Sequence, residues 1–214
     1  MNTTHLFNDG FTFKDKIEIM QDMFVDLDKA TMYYNGEVDE SLGTILRVKY
    51  MIIREYWENI RKEKLERITI DFSSFGGSVY AIYDGLDFYD ELLKEGVLVD
   101  TKVHGVCMSA ATILLAGGTG KRYATKKTKF MIHDMQMEGI GGNTNQTKAI
   151  HQDLLKTQTE LYEFYVKFTN KEKTFTDIEL KKQIKAWEKL CSKSDYYLNA
   201  SEAKERGLFD EYCN

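Results

Sequence analysis

Apolar residues recur along this chain with two alternating periods. Alternating apolar positions over 67–72 predict a β-strand. Apolar positions three to four residues apart over 79–93 predict the helix that follows it. The same two patterns predict further strands over 32–34, 97–106, 121–124 and 129–133, and further helices over 45–60, 110–116 and 146–169. Capping boxes at Thr176 and Asn199 mark the starts of two more helices, the second of which ends at Gly207.

Alternating strands and helices predict an α/β fold with a mostly parallel sheet and crossover helices. The weakly patterned residues 1–30 are interpreted as an N-terminal arm, and 31–214 as a single domain, because no repeat or linker interrupts them. Binding sites collect just beyond the carboxyl ends of parallel strands. Two glycine-containing segments, 76–77 and 105–109, follow predicted strands and are therefore the first places to look.

Composition narrows the classes of function. The net charge is −5 and the basic residues are scattered, which argues against nucleic-acid binding. No apolar run approaches the roughly 18 residues that span a bilayer, and the first residues lack a signal-peptide pattern. The three irregularly spaced cysteines fit neither a zinc site nor a disulfide framework. We therefore expect a cytoplasmic protein without a metal, and since the chain has no proline, its glycines carry more weight as turn residues.

Ser109 lies where a predicted strand ends and a predicted helix begins. Backbone N–H groups at a helix N-terminus point outward and stabilise a developing negative charge. Ser109 is therefore either a nucleophile or an N-cap residue that only starts the helix. The G-x-S-x-G sequence of the α/β-hydrolases is missing.

Three further features are candidates for chemistry. His133 ends a predicted strand and is either a general base or a structural histidine. Asp195 lies between two predicted helices, where an aspartate is usually a turn or cap residue, so its functional interpretation depends on the other two. Gly76-Gly77 is either a plain turn or a place where a backbone N–H meets a substrate oxyanion. No Lys-Ser/Thr follows it, which argues against a phosphate-binding loop.

Six short segments, in the same order, resemble the Clp protease proteolytic subunit (ClpP) family, within the wider ClpP/crotonase fold. Residues 73–77 are similar to the family's N-S-P-G-G loop, 105–111 to G-x-A-A-S-M-G/A, and 131–133 to M-I-H. The remaining segments are 35–38, 116–123 and 195–210. Each is short, and it is their order that identifies the chain as a divergent member.

The resemblance implies repeated β-β-α units and a serine endopeptidase with a Ser-His-Asp triad. Ser109 would be the nucleophile, His133 the general base and Asp195 the carboxylate that orients the imidazole. The backbone N–H groups of Gly77 and Ala110 would form the oxyanion hole.

The family also implies a protruding helix/strand handle, here over about 136–170. Gly139, Gly141 and Gly142 within it would bind substrate backbone by strand addition, or this segment is only a mobile loop. The family further implies a homo-oligomer, a heptameric ring with two rings possibly stacked, that cleaves peptides or unfolded proteins. No cofactor is expected, and ATP would belong only to a partner AAA+ unfoldase.

The chain departs from the family at several positions. Phe75 replaces the proline of the glycine loop, and Ser194 replaces the arginine before the triad aspartate. Thr69 and Asp71 stand where the family has aromatic residues that line the ATPase dock. Asp134 follows the histidine, and its charge would raise the histidine pKa or compete for the imidazole.

Two other classes of function remain open from the sequence. A catalytically inactive ring scaffold or regulator would keep the fold without the chemistry. An acyl-CoA enzyme of the crotonase type would use backbone N–H groups for a thioester oxyanion and would need no triad.

Overall fold

A computed structural model describes residues 10–136, 142–170, 173–192 and 194–213. Eight strands form one sheet in this part of the chain. They are β1 Val25–Asp26, β2 Thr31–Asn35, β3 Arg67–Ser74, β4 Leu98–Met108, β5 Arg122–Thr125, β6 Lys129–Ile132, β7 Tyr196–Leu198 and β8 Glu211–Cys213. The helices are α1 Phe13–Met23, α2 Leu42–Glu55, α3 Val79–Lys94, α4 Ala110–Gly117, α5 Thr144–Thr169, α6 Asp177–Cys191 and α7 Ala200–Glu205, and a π-helical turn, Tyr56–Arg61, continues α2.

The sheet is mostly parallel, as predicted. Its strand order is β1-β2-β3-β4-β5-β8, and β6 pairs with both β4 and β7. Among the strand pairs formed by the described residues, β1–β2 and β6–β7 alone are antiparallel. The central strands β3 and β4 lie side by side in parallel, so their carboxyl ends meet at one edge of the sheet.

The helix α3 crosses between β3 and β4 and buries one face against the sheet. Ile82, Phe88 and Leu92 on this face are 0–2% exposed. The predicted stripe ended at Leu93, which is 47% exposed, so the buried face lies one position earlier in the last turn. The prediction of a core helix is thus correct, whereas the side of the helix that is buried depends on the elements it packs against.

Two short helices begin as their capping boxes predict. Thr176 and Asn199 each accept a hydrogen bond from the backbone N–H three residues later, and the glutamate there bonds back to the cap residue. Residues 25–30, placed in the expected arm, include the strand β1, and Val25 and Leu27 are buried. This part of the segment therefore packs against the sheet.

The long helix α5 divides into two halves. Its first half is largely exposed, and Ile150 and Leu155 are 37% and 57% exposed. Its second half buries Leu161, Tyr165 and Val166 against the core. The helix thus projects from the domain at the place predicted for the handle. Among the described residues, no helix combines the length and the apolar character needed to cross a bilayer.

Candidate active site

Ser109 joins β4 to α4 in a strained conformation. Its φ of 51° and ψ of −128° are unusual for a residue with a side chain, and such strain costs about 1–3 kcal/mol unless the surroundings hold it. The Ser109 N–H donates to the Met131 carbonyl of β6 at 2.8 Å, which fixes the turn. The hydroxyl makes no cap hydrogen bond to α4. Ser109 therefore does not act as a side-chain N-cap, and its Oγ is available for another partner.

That partner is His133. The strands β4 and β6 are parallel, with Met108 opposite Met131, so the residues that follow each strand emerge together. His133 Nε2 lies 2.9 Å from Ser109 Oγ. This is hydrogen-bond distance between a nucleophile and a general base. The structure brings the first two predicted residues together.

Gly76 and Gly77 allow the loop after β3 to pack closely against the turn at Ser109. A Cβ on Gly76 would lie 2.6 Å from the Ser109 Cβ, and one on Gly77 would lie 2.2 Å from the Val38 carbonyl oxygen. Both residues also have positive φ, 103° and 147°. Only glycine meets both demands without displacing the chain.

The two expected oxyanion donors flank the serine. Val38 N–H donates to the Gly76 carbonyl and Ser78 N–H donates to the Val38 carbonyl, a parallel bridge that leaves the Gly77 N–H unused. Ala110 is the first residue of α4, where a backbone N–H has no partner within the helix. Gly77 and Ala110 line the same cavity as Ser109 and His133.

Asp195 belongs to the segment that pairs with the His133 segment, but its side chain does not contact the His133 imidazole. The register of β6 and β7 sets Ile132 opposite Tyr196, where the ladder ends, and one further step of the same register would set His133 opposite Asp195. Opposite residues share one face of a sheet. The Asp195 carboxylate is nevertheless exposed and accepts a weak hydrogen bond from the Tyr197 hydroxyl at 3.4 Å. The structure does not join Asp195 to the imidazole.

The second imidazole nitrogen is correspondingly unsatisfied. His133 Nδ1 is buried and has no hydrogen-bond partner among the described residues. A buried polar atom without a partner costs about 1–3 kcal/mol. Among the described residues nothing accepts a hydrogen bond from Nδ1, the atom that a third triad member would contact.

A cavity of about 360 Å³ opens beside Ser109. We call it the Ser109 cavity. Its apolar lining includes Ile82 of α3, Ile113 of α4 and Leu161 of α5, each nearly fully buried. Because these side chains come from three helices, the cavity exists only once the helices pack on the sheet.

The segment after His133 forms one side of the Ser109 cavity. Asp134 Oδ1 accepts a hydrogen bond from the Tyr162 hydroxyl, and Met135 N–H donates to Gln158 Oε1 at 2.5 Å. Burial, together with this bond to Asp134, raises the Tyr162 pKa. Asp134 thus bonds to Tyr162, whereas the sequence suggested that it could compete for the histidine.

Of the three predicted substrate-binding glycines, Gly139 and Gly141 lie outside the described residues. Gly142 is exposed, has a φ of 136° and precedes the N-cap residue Asn143 of α5. It does not line the Ser109 cavity within the described part of the chain.

The lining residues Ile82, Ile113, Leu161 and Gln158 carry no sequence signal that assigns them to a site. The apolar ones look like ordinary core residues in the sequence, and Gln158 carries no motif. Gly76 was treated only as part of a glycine pair, although its contact with Ser109 explains why two successive glycines are needed.

Comparison with known proteins gives a consistent result. The family model described as Clp protease matches residues 18–214. The chain is 35% identical over 181 residues to a protein of Bacteroides thetaiotaomicron named ATP-dependent Clp protease proteolytic subunit. That match covers 84% of this chain and 72% of the relative.

Proposed function

The chain belongs to the Clp protease family, and from this premise we propose that it is a serine endopeptidase with Ser109 as nucleophile and His133 as general base. The observation that carries the proposal is the 2.9 Å contact between Ser109 Oγ and His133 Nε2. The hydroxyl makes no cap bond that would explain its position otherwise.

The reaction begins with a peptide carbonyl in the Ser109 cavity. His133 Nε2 takes the Ser109 proton as Oγ forms a bond to the carbonyl carbon. The carbonyl oxygen becomes an oxyanion beside the N–H groups of Gly77 and Ala110, and one such donor contributes roughly 3 kcal/mol in the transition state. The imidazolium then protonates the leaving amine as the C–N bond breaks. Water hydrolyses the resulting ester by the same steps, with His133 again as base.

Asp195 is proposed to complete the triad by turning toward His133 Nδ1. In support, Asp195 directly precedes the strand β7, which pairs with the strand β6 that leads to His133, and Nδ1 is buried without a partner in the described residues. A carboxylate there would accept a hydrogen bond from Nδ1–H and stabilise the imidazolium that forms during attack. The movement exchanges a weak, exposed contact with Tyr197 for a charge-assisted hydrogen bond.

We also propose that the protein acts as a homo-oligomeric ring of seven subunits, with two rings stacked. Exposed apolar side chains on α2 and α5, including Met51 and Leu155 at 61% and 57% exposure, would be covered by neighbouring subunits. Substrates would be peptides or unfolded proteins. The Ser109 hydroxyl needs no bound cofactor for the chemistry proposed.

An AAA+ unfoldase that supplies unfolded substrate, and holds the ATP, is a proposal that rests on family membership alone. At the positions expected to line its dock, Asp71 is buried and accepts hydrogen bonds from Lys102 and His104, both at 2.9 Å. At Asp71 a partner would therefore meet a carboxylate that is already paired with Lys102 and His104.

The test is hydrolysis of a fluorogenic short peptide by the wild type and by Ser109→Ala, with the oligomeric state measured in the same samples. We expect the variant to assemble and to lose at least about a thousandfold in kcat/KM. A fluorophosphonate probe should label Ser109 in the wild type. Equal activity in both proteins would exclude Ser109 as the nucleophile. A well-formed ring with neither hydrolysis nor labelling would favour the inactive scaffold.

A further inference from the structure

A second cavity lies between the end of α1, the strand β2 and the helix α2. We call it the Lys49 cavity. Its volume is about 350 Å³, within the range of small-molecule sites, which is roughly 300–1,000 Å³. None of the described residues that line it also lines the Ser109 cavity. It is therefore a different place from the one where peptide cleavage is proposed.

Lys49 of α2 is the cation of this cavity. Only 7% of the residue is exposed. Its ammonium group donates a hydrogen bond to the Tyr33 carbonyl and lies 5.9 Å from the centre of the Phe24 ring. Because Tyr33 and Phe24 also line the cavity, these two contacts place the ammonium group at the cavity wall.

The charge of Lys49 has no counterion among the described residues. Burial lowers the pKa of Lys49, and no carboxylate in the described part of the chain offsets this effect. Every other described lysine with a shifted pKa has it raised by a carboxylate partner. A buried charge is costly unless it is paired, and an ammonium group has three N–H donors. Lys49 therefore favours an anion that reaches it through the cavity.

The other lining residues indicate what kind of anion fits. Met23 and Ile45 are half-buried apolar side chains, and Phe24 is 61% exposed with a φ of 52°, which is rare for a bulky residue. The described lining has one lysine and no arginine, so it suits one negative charge on an apolar body better than a phosphate. Asp22 also lines the cavity, but it is exposed, and water and salt weaken its repulsion.

We propose that the Lys49 cavity binds a monocarboxylate with an apolar body, such as a short fatty acid or the C-terminus of a short apolar peptide. The carboxylate would accept hydrogen bonds from Lys49 Nζ. Met23, Phe24 and Ile45 would contact the body and cover apolar surface that now faces water. This binding goes beyond the proposed peptidase function and does not depend on it.

The closing experiment is calorimetric titration of the full chain with two ligand pairs: octanoate with octanamide, and acetyl-leucine with acetyl-leucinamide. The members of a pair differ in charge but hardly in shape, so the ratio of their Kd values isolates the carboxylate. We expect the carboxylate to bind about tenfold more tightly in at least one pair, as for a charge-assisted hydrogen bond. The pair that shows this ratio distinguishes a fatty acid from a peptide C-terminus. Lys49→Met keeps an apolar stem without the ammonium group and should lower the ratio to about one.

Two control variants separate charge recognition from structural damage. Lys49→Arg keeps the positive charge, so a preference for the carboxylate should persist. Asp22→Asn removes the opposing carboxylate and leaves Lys49 and its bond to Tyr33 in place, so octanoate should bind more tightly while octanamide is unaffected. This variant keeps the proposal testable if Lys49→Met does not fold, which thermal unfolding of the same samples shows.

Three outcomes would overturn the proposal. The first is that neither carboxylate binds the wild type more tightly than its amide. The second is a carboxylate preference that survives in folded Lys49→Met, which would place the binding site elsewhere. The third is that Lys49→Arg and Lys49→Met lose the preference alike, which would assign Lys49 a structural role. None of these outcomes bears on Ser109-dependent hydrolysis, which is measured separately with the peptide substrate.

Discussion

The dyad of Ser109 and His133 and the loop that carries Asp195 differ in how the fold holds them. The two dyad residues follow neighbouring parallel strands, and their side chains meet at 2.9 Å. Asp195 precedes the short antiparallel strand β7, and its side chain is exposed although β7 pairs with the strand that leads to His133. Central strands thus position both backbone and side chain, whereas a strand beginning at the surface positions the backbone alone.

The largest effect should come from the dyad. His133→Ala removes the general base, and we expect kcat/KM for a peptide to fall at least about a thousandfold. Because the two residues act as one unit, the double variant with Ser109→Ala should be no slower than either single variant. If the loss of kcat/KM in the double variant equals the product of the two single losses, the two residues do not act as one unit. The measurement is peptide-hydrolysis kinetics on folded, assembled samples of all three variants.

The next effect concerns the third residue. If the carboxylate turns to His133 Nδ1, Asp195→Asn should lower kcat by a factor roughly a hundredfold smaller than the loss of the base itself causes. Tyr197→Phe is the matched control, because it removes the hydroxyl that Asp195 now contacts and should leave kcat unchanged or raised. Full activity of Asp195→Asn would show that the dyad works without this carboxylate.

A smaller effect tests how tightly the dyad turn is packed. Gly76→Ala combines a positive φ with a clash against Ser109 and Met108, and we expect it to lower the free energy of unfolding by about 3 kcal/mol and activity more than tenfold. Gly96→Ala separates the two causes, since Gly96 has a φ of 80° but no atom within 4 Å of the added Cβ. It should cost only about 1 kcal/mol in chemical denaturation. If both variants lose the same free energy of unfolding, a Cβ at position 76 is accommodated without a clash against Ser109.

The last prediction concerns the reactivity of the two buried cysteines, Cys107 and Cys191, compared with that of Cys213. Burial raises the pKa of Cys107, and burial, with the charge of Asp134 adding to it, raises the pKa of Cys191 to about 12. A raised pKa lowers the thiolate fraction at pH 8, so both should alkylate far more slowly than the half-buried Cys213. Mass spectrometry of alkylated peptides measures each rate.

Cys191 also reports on the loop, because it ends α6 just before the segment that carries Asp195. If that segment opens, Cys191 should react several-fold faster than Cys107, which lies within the central strand β4. Equal protection of the two cysteines would mean that Asp195 can reach His133 only by side-chain rotation.

The alternation of strands and helices, and the position of Ser109 and His133 at the ends of strands, can be predicted from the amino-acid sequence alone. Both depend on short-range rules: the period of apolar residues, the capping boxes and the glycine turns. The short strands β1, β7 and β8 have two or three residues each, too few for a period to show. Their pairing depends on the rest of the sheet.

The lining of the Ser109 cavity, the contact of Asp134 with Tyr162 and the outward direction of Asp195 depend on how the elements pack in three dimensions. The cavity lining comes from helices far apart in the chain, and Asp134 and Tyr162 are 28 residues apart. No local pattern encodes such contacts, since they arise when separate elements pack. The direction of Asp195 is a matter of side-chain rotation at the surface, where the backbone register leaves several rotamers open.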